Sequence, residues 1–387
     1  MLEKPIHVKN LESNVESLLE DIRPLYRCNR NKTYHGEEII PHEVREQVLA
    51  LHGEDGVREY NFCREATEGA EALHDALCDI ELDAKMAAEY KYHEAGWNHC
   101  VHTPLLKLIF TSKPWGQQQH QPGHTNSADP PGGRPARTRV VPVMSTAIVP
   151  AYLPAKHSRL SNLTTSATDL FSGSGLESWT SSASSTTSSG TGQTYGGRGD
   201  SKKVDYVIVM DTADSTPLRN FFSVFVYEEA LEQETLPHVN HVMYPPLQWS
   251  PIACSIETKV EATANDPMLQ LGTWVGSWHK RMGKLRQYLL EKIPSLQPNP
   301  LDDRLASTLL IEVVNNEWRL YFACDQGVSI SLYGPLSIGS TKDTREAYTL
   351  VAVLRAVREW TETTFYESLE RWFFCKDLGP RLGGWGT

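Results

Sequence analysis

A mixed α/β fold is predicted for this 387-residue chain by three observations. Two short runs, VDYVIVMD (204–211) and PIACSIETKV (251–260), are β-branched and apolar enough to be buried strands. Between and after them lie segments with apolar residues at helical spacing. A third region, 307–339, alternates strand-like runs with turn residues. Strands interleaved with helices call for helices packed on a sheet.

In chain order, the first hundred residues read as helical. Leu11, Val15, Leu18, Leu19 and Ile22 recur at helical spacing, and Pro24 is expected to stop that run. Val44, Val48 and Leu51 mark a second helix closed by Gly53. Ala70, Leu73, Leu77 and Ile80 open a longer one expected to reach Trp97. Residues 111–138 and 172–200 are rich in Gly, Ser, Pro and Gln, cannot bury enough apolar surface to offset chain entropy, and are expected to be disordered insertions. RVVPVMSTAIVPAYLP (139–154), between them, carries strand-like content. From 204 onward a strand, the helix PLRNFFSVFVYEEALEQE and the strand 251–260 follow. Asp266 and Pro267 then begin a helix whose apolar stripe is Leu271, Trp274, Val275, Trp278, Met282, Leu285 and Leu289. Two or three strands follow with Asn315-Asn316 as a hairpin turn, and a last helix starts at Asp343. Two regions are expected: a helical one over 1–90, and an α/β domain over 91–387.

Bulk properties narrow the function classes. The formal charge is −11, and residues 1–110 hold 12 basic against 21 acidic side chains, so no basic patch announces tight phosphate binding. Active-site carboxylates offset by a metal remain compatible with that balance. No 18-residue apolar run suggests a membrane span, and residues 1–23 contain no signal-peptide core. Seven scattered cysteines, odd in number and without a C-x-x-C pair, point to reduced thiols in a cytoplasmic or nuclear protein. The tripeptide Arg198-Gly199-Asp200 and the sequon at Asn162 read as loop.

One constellation could carry chemistry. Glu257 and Lys259 are two apart on a strand, so they share a face about 7 Å apart along the chain. Charges amid Ile252, Ala253, Cys254, Ile256 and Val260 are costly to bury unpaired. Asp205 opens the other buried strand. If the strands are neighbours, Asp205 and Glu257 can bracket one Mg²⁺ or Mn²⁺, with the Thr258 carbonyl as a further oxygen, and Lys259 can orient or deprotonate a water. The spacing equally fits a structural ion pair at a sheet edge. Asp211, at the far end of the same strand, rivals Asp205.

Two other features are weaker. His93, His99, Cys100 and His102 cluster without the spacing that presents a zinc pair on one helix. HKRMGKLR (279–286) is expected to be a solvated face, and is also the best phosphate-contact candidate.

KKVDYVIVMD, PIACSIETKV and MLQLGTWVGSW, with HEAGWNHCVHTPLLKLIF before them and GSTKDTREAYTLVAVLRAV after, resemble the PD-(D/E)XK nuclease-like family of the restriction-endonuclease-like fold. The resemblance covers most of the chain outside the two low-complexity tracts. It implies Asp205, Glu257 and Lys259 as catalytic triad, Glu94 as an auxiliary metal-side carboxylate and Gln270 as a glutamine near the site. Asp205 follows Val204 where many members have proline, and it stands fifty-two residues before Glu257. The implied activity is metal-dependent phosphodiester hydrolysis of nucleic acid. A catalytically silent nuclease-like scaffold is the alternative, and the helical N-terminal region could bind a protein partner.

Overall fold

The computed structural model describes residues 4–11, 18–110, 136–154, 204–213, 216–260, 267–296 and 304–374. The tract 172–200, residues 111–135 and Asp266 lie outside the described residues.

Among the described residues seven strands form one sheet: β1 (Ile6–Lys9), β2 (Ala136–Pro142), β3 (Tyr206–Thr212), β4 (Ile252–Lys259), β5 (Thr308–Val314), β6 (Glu317–Asp325) and β7 (Ile330–Ser340). Their spatial order is β1-β7-β6-β5-β4-β3-β2. β4 runs parallel to β5, β1 runs parallel to β7, and the other pairs are antiparallel. Every residue of β4 from Ile252 to Thr258 is buried, as expected of a central strand covered on both faces. The helices are α1 (Arg23–Arg30), α2 (Arg45–Gly56), α3 (Ala70–Glu89), α4 (Glu94–Trp97), α5 (Thr103–Ile109), α6 (Pro217–Phe221), α7 (Tyr227–Glu232), α8 (Pro267–Lys292), α9 (Thr344–Trp360) and α10 (Tyr366–Phe374). Single π-helical turns join α4 to α5 (Asn98–His102), α6 to α7 (Phe222–Val226) and α9 to α10 (Thr361–Phe365). The mixed sheet with helices bears out the expected α/β restriction-endonuclease-like architecture.

Local chemistry explains most boundaries. Asp343 accepts the Glu346 N–H at 2.9 Å and caps α9. Asn315 adopts a left-handed φ of 53°, and Val314 pairs with Glu317 across the two-residue turn. Gly339 has a φ of 118°; a Cβ there would lie 2.7 Å from the Glu346 carbonyl oxygen, so glycine is what lets α9 lie directly on β7.

Several elements depart from the sequence reading. Residues 6–9, placed in a helical region, form edge strand β1, because pairing with β7 supplies partners that four residues cannot supply alone. Pro24 starts α1 instead of ending a helix: at the first turn its missing N–H costs no hydrogen bond. The helix from Ala70 stops at Glu89, Lys91 takes a left-handed φ of 53°, and a new helix begins at Glu94. The insertion expected up to residue 138 gives way earlier, since Ala136, Arg137 and Thr138 already pair with β3.

The largest correction concerns residues 279–286. His279, Arg281 and Arg286 are buried, not solvated. Arg281 donates to both Glu229 oxygens at 2.8 and 2.7 Å and to the His238 carbonyl at 2.6 Å. Arg286 lies over the Trp372 ring and donates to its carbonyl. These two guanidiniums hold α7 and α10 against α8, which withdraws them from any phosphate. Charge counting on sequence sees neither the partners nor the burial.

No described helix is long and apolar enough to cross a membrane. The described cysteines are free.

Two outcomes are expected. Glu229→Ala leaves Arg281 charged and unpaired in the interior, and should lower unfolding free energy by about 3–5 kcal/mol in chemical denaturation. Burial also pushes His102 and His279 down to about 4 and His241 to about 3. A lowered histidine contributes stability above its unfolded pKa, lost as pH falls through the folded one. Stability should therefore drop between pH 6.5 and 4. His279→Leu should reduce that slope by one proton, about 1.4 kcal/mol per pH unit.

Candidate active site

Three elements meet where β3 begins and β4 ends. Asp205 immediately precedes β3, and the register pairs Tyr206 with Ile256, which brings Asp205 beside Glu257 of the neighbouring strand. Asp205 is anchored by its backbone: its N–H donates to the Ile256 carbonyl at 3.0 Å, and its own carbonyl accepts from Val143 at 2.8 Å. Glu94 comes from the first turn of α4, placed there by the break after α3. The expected adjacency of Asp205 and Glu257 on one sheet is what the fold produces.

Both strand-borne carboxylates are buried, Asp205 beside β3 at 7% exposure and Glu257 on β4 at 2%. Lys259 Nζ lies 2.5 Å from Glu257 Oε1, 3.1 Å from Glu94 Oε2 and 3.0 Å from the Thr258 carbonyl oxygen. Thr258 donates its N–H and its hydroxyl to Asp205 Oδ2, at 2.8 and 2.7 Å. The group thus contains three carboxylates and one ammonium.

The electrostatics follow from that count. Burial, then the neighbouring Asp205, pushes Glu257 up to about 8, and the Lys259 ammonium offsets only part of this. Asp205 is raised by burial against the two Thr258 bonds that lower it. Burial pulls Lys259 down, but Glu257 and Glu94 outweigh burial, and its net shift is upward. The site therefore holds a firmly protonated lysine beside two carboxylates whose negative charge is under-compensated.

The other sequence candidates fall elsewhere. Asp211 is bound by Arg139 at 2.6 and 3.0 Å and by the Ser250 hydroxyl, which makes it a buried anchor between β2, β3 and the loop before β4. Gln270 is half-buried on the first turn of α8, the helix that packs on β4. His102 is buried against Trp97 and Trp318. Among the described residues no three His, Cys, Asp or Glu side chains converge to hold a metal ion, so neither the histidine cluster nor a three-carboxylate cage with Glu94 is formed. Glu94 turns to Lys259 instead.

Asp205 and Glu257 nonetheless suit a hard divalent cation. Magnesium is commonly held by one or two carboxylates with waters and substrate phosphate completing its shell, without an all-protein cage. Two adjacent carboxylates raised first by burial, with the charge of Asp205 adding to the shift of Glu257, are the donor set that such an ion relieves.

One residue escaped the sequence reading. Asn98, buried in the π-helical turn, places its amide Oδ1 2.9 Å from Thr258 Oγ1 and 3.0 Å from His102 Nδ1. Its signal was present in the sequence: Glu94, Asn98 and His102 are spaced by four and share one helix face.

Comparison with known proteins gives the family. No curated protein matches the chain, and no solved structure does. A profile of the PD-(D/E)XK nuclease superfamily matches residues 47–366, taking in Glu94, Asp205, Glu257 and Lys259. Enzymes of that superfamily generally use divalent metals. The chain belongs to the PD-(D/E)XK nuclease superfamily.

Proposed function

We propose that this protein is a divalent-metal-dependent nuclease hydrolysing phosphodiester bonds in nucleic acid, with Asp205, Glu257 and Lys259 as its active residues. The observation that carries the reading is the meeting of two buried carboxylates from adjacent strands with a single ammonium beside them. Asp205 and Glu257 would hold Mg²⁺ or Mn²⁺, with the Thr258 carbonyl as a further oxygen donor. When bound, the ion polarises the phosphoryl oxygen and lowers the pKa of a water.

The chain's own groups divide the remaining work. Lys259, held protonated by Glu257 and Glu94, donates to the attacking water and to the charge that develops on phosphorus oxygens. Its ammonium, held between two carboxylates, suits it to donate to and position that water. Glu94 fixes the ammonium from the far side, so the lysine keeps an anionic partner when Glu257 turns to a cation. The acidic overall balance limits phosphate contacts made by the protein surface, which places most of the substrate's charge compensation at the metal.

Two measurements test this. Purified protein with Mg²⁺ or Mn²⁺ should cleave at least one member of a panel of single- and double-stranded DNA and RNA. EDTA should abolish cleavage, and Lys259→Ala should reduce it by about 10²-fold or more with an unchanged circular dichroism spectrum. No cleavage across that panel by metal-loaded wild-type protein would leave the silent scaffold as the better reading. Stability supplies the second test. A carboxyl raised on folding contributes stability below its unfolded pKa and loses it as pH rises through the folded one. In EDTA at pH 8, Glu257→Gln should thus raise the melting temperature, since Lys259 keeps Glu94. Mg²⁺ should raise the wild-type melting temperature and leave the variant's unchanged. A variant that melts lower in EDTA would mark Glu257 and Lys259 as a structural ion pair.

A further inference from the structure

We infer that Asn98 is a positioning residue for Asp205: acting through the Thr258 hydroxyl, it fixes the direction in which that carboxylate presents its oxygens. The inference rests on the nuclease reading above and adds to it a residue outside the triad.

Thr258 gives both of its donors to one oxygen of Asp205, Oδ2. The backbone N–H is fixed by the strand. The hydroxyl is not, because it rotates about its C–O bond and carries one proton for two flanking acceptor directions. On its other side lies the Asn98 side-chain amide, placed with Oδ1 at 2.9 Å and with Nδ2 3.8 Å from Met144 Sδ. Whether that amide donates or accepts decides where the hydroxyl proton points.

His102 resolves the question. Its Nε2 is 3.2 Å from the Asn315 carbonyl oxygen, and its Nδ1 is 3.0 Å from the same Asn98 amide. The ring is buried between Trp97 and Trp318, with an amide and a carbonyl, both uncharged, at its two nitrogens. A histidine so placed is neutral and has one N–H. A carbonyl only accepts, so the proton is on Nε2 and Nδ1 accepts. The proton count therefore calls for the amide turned over, with Nδ2 facing Nδ1 and Thr258 and giving one proton to each, and Oδ1 toward Met144. With Oδ1 in that place, the imidazole would need a second proton, and two acceptors would compete for the single hydroxyl proton. Amide oxygen and nitrogen are alike in size, so the network decides which is which.

With Nδ2 donating to Thr258 Oγ1, the hydroxyl proton is directed to Asp205. The result is a buried chain of bonds of fixed sense, from the hairpin carbonyl of Asn315 through His102, Asn98 and Thr258 to Asp205. Its ends are tied down. Tyr206 Oη donates to the Asn98 backbone carbonyl at 3.1 Å, and the Asn315 N–H donates to the Lys259 carbonyl at 2.8 Å. The same hairpin turn thus clamps the strand end that carries Lys259 and orients the residue that steers Asp205. The π-helical turn is where Asn98 sits, and such one-turn widenings are frequent at functional sites.

The test is Mn²⁺ affinity of the full chain without substrate, measured by calorimetry. Asn98→Ala and Thr258→Val should each weaken Mn²⁺ binding by about 10–100-fold, the usual range for partners that orient a metal ligand. Thr258→Ser, which restores the hydroxyl, should recover most of what Thr258→Val loses; a merely space-filling role for Thr258 would not show that rescue. Asn98→Ala added to Thr258→Val should weaken binding little further, because both interrupt one chain. Wild-type affinity in Asn98→Ala overturns the inference, as do losses that multiply in full in the double variant. Should Asn98→Ala not fold, the Thr258 pair decides alone, and equal affinity in Thr258→Val and wild type overturns it. Wild-type protein that takes up no Mn²⁺ overturns the nuclease reading itself, a result distinguishable from each of these.

Discussion

Two carboxylates buried side by side, with one ammonium to share among three, form the constraint on which the rest of this structure turns. Burying Asp205 and Glu257 together is unfavourable for the folded chain by itself, as the upward shift of both shows. The surrounding architecture keeps them there. β3 and β4 set the pair by register, Thr258 holds Asp205 with two bonds to one oxygen, and Lys259 stands between Glu257 and Glu94. An arrangement that under-compensates negative charge in a dry location is characteristic of a functional site.

Three other buried carboxylates among the described residues are each matched by a cation. Arg281 satisfies both oxygens of Glu229, Arg139 does the same for Asp211, and Lys4 meets Asp325 at 2.6 Å. Each of these pairs joins elements distant in sequence, and each is close to neutral as a unit. The contrast sets these pairs apart from Asp205 and Glu257, whose charge the fold leaves under-compensated. It also explains why residues 279–286, the most basic run in the C-terminal half, are no phosphate surface: the fold consumes Arg281 and Arg286 as internal ties.

Support for the site reaches outward through polar links rather than apolar contact. The helix from Glu94 to Ile109 lays Glu94, Asn98 and His102 over the ends of β3 and β4, and the Asn315 turn closes the far side. A buried polar chain of this kind is stabilising only when each member is satisfied, and it then fixes one arrangement. The helix break between Glu89 and Glu94 is part of the same device. A continuous helix from Ala70 would have carried Glu94 along the α3 axis and away from Lys259.

Much was legible in the sequence because it depends on local chemistry. The β-branched runs of β3 and β4, the Asn315-Asn316 turn, the Asp343 cap and the apolar stripe of α8 are short-range signals, and the fold keeps them. The pairing of Glu257 with Lys259 follows from strand periodicity alone. Tertiary structure decided what depends on partners distant in the chain. Residues 6–9 became a strand because β7 had a free edge, and Pro24 opened a helix because of where the chain turned before it. Asp211 was claimed by Arg139, seventy-two residues before it, while Asp205 was set beside Glu257, and Asn98 was joined to Thr258 across one hundred and sixty. Sequence spacing specifies which face a side chain shares with its neighbours; which opposite charge or hydrogen-bond donor it meets is fixed only when the sheet closes.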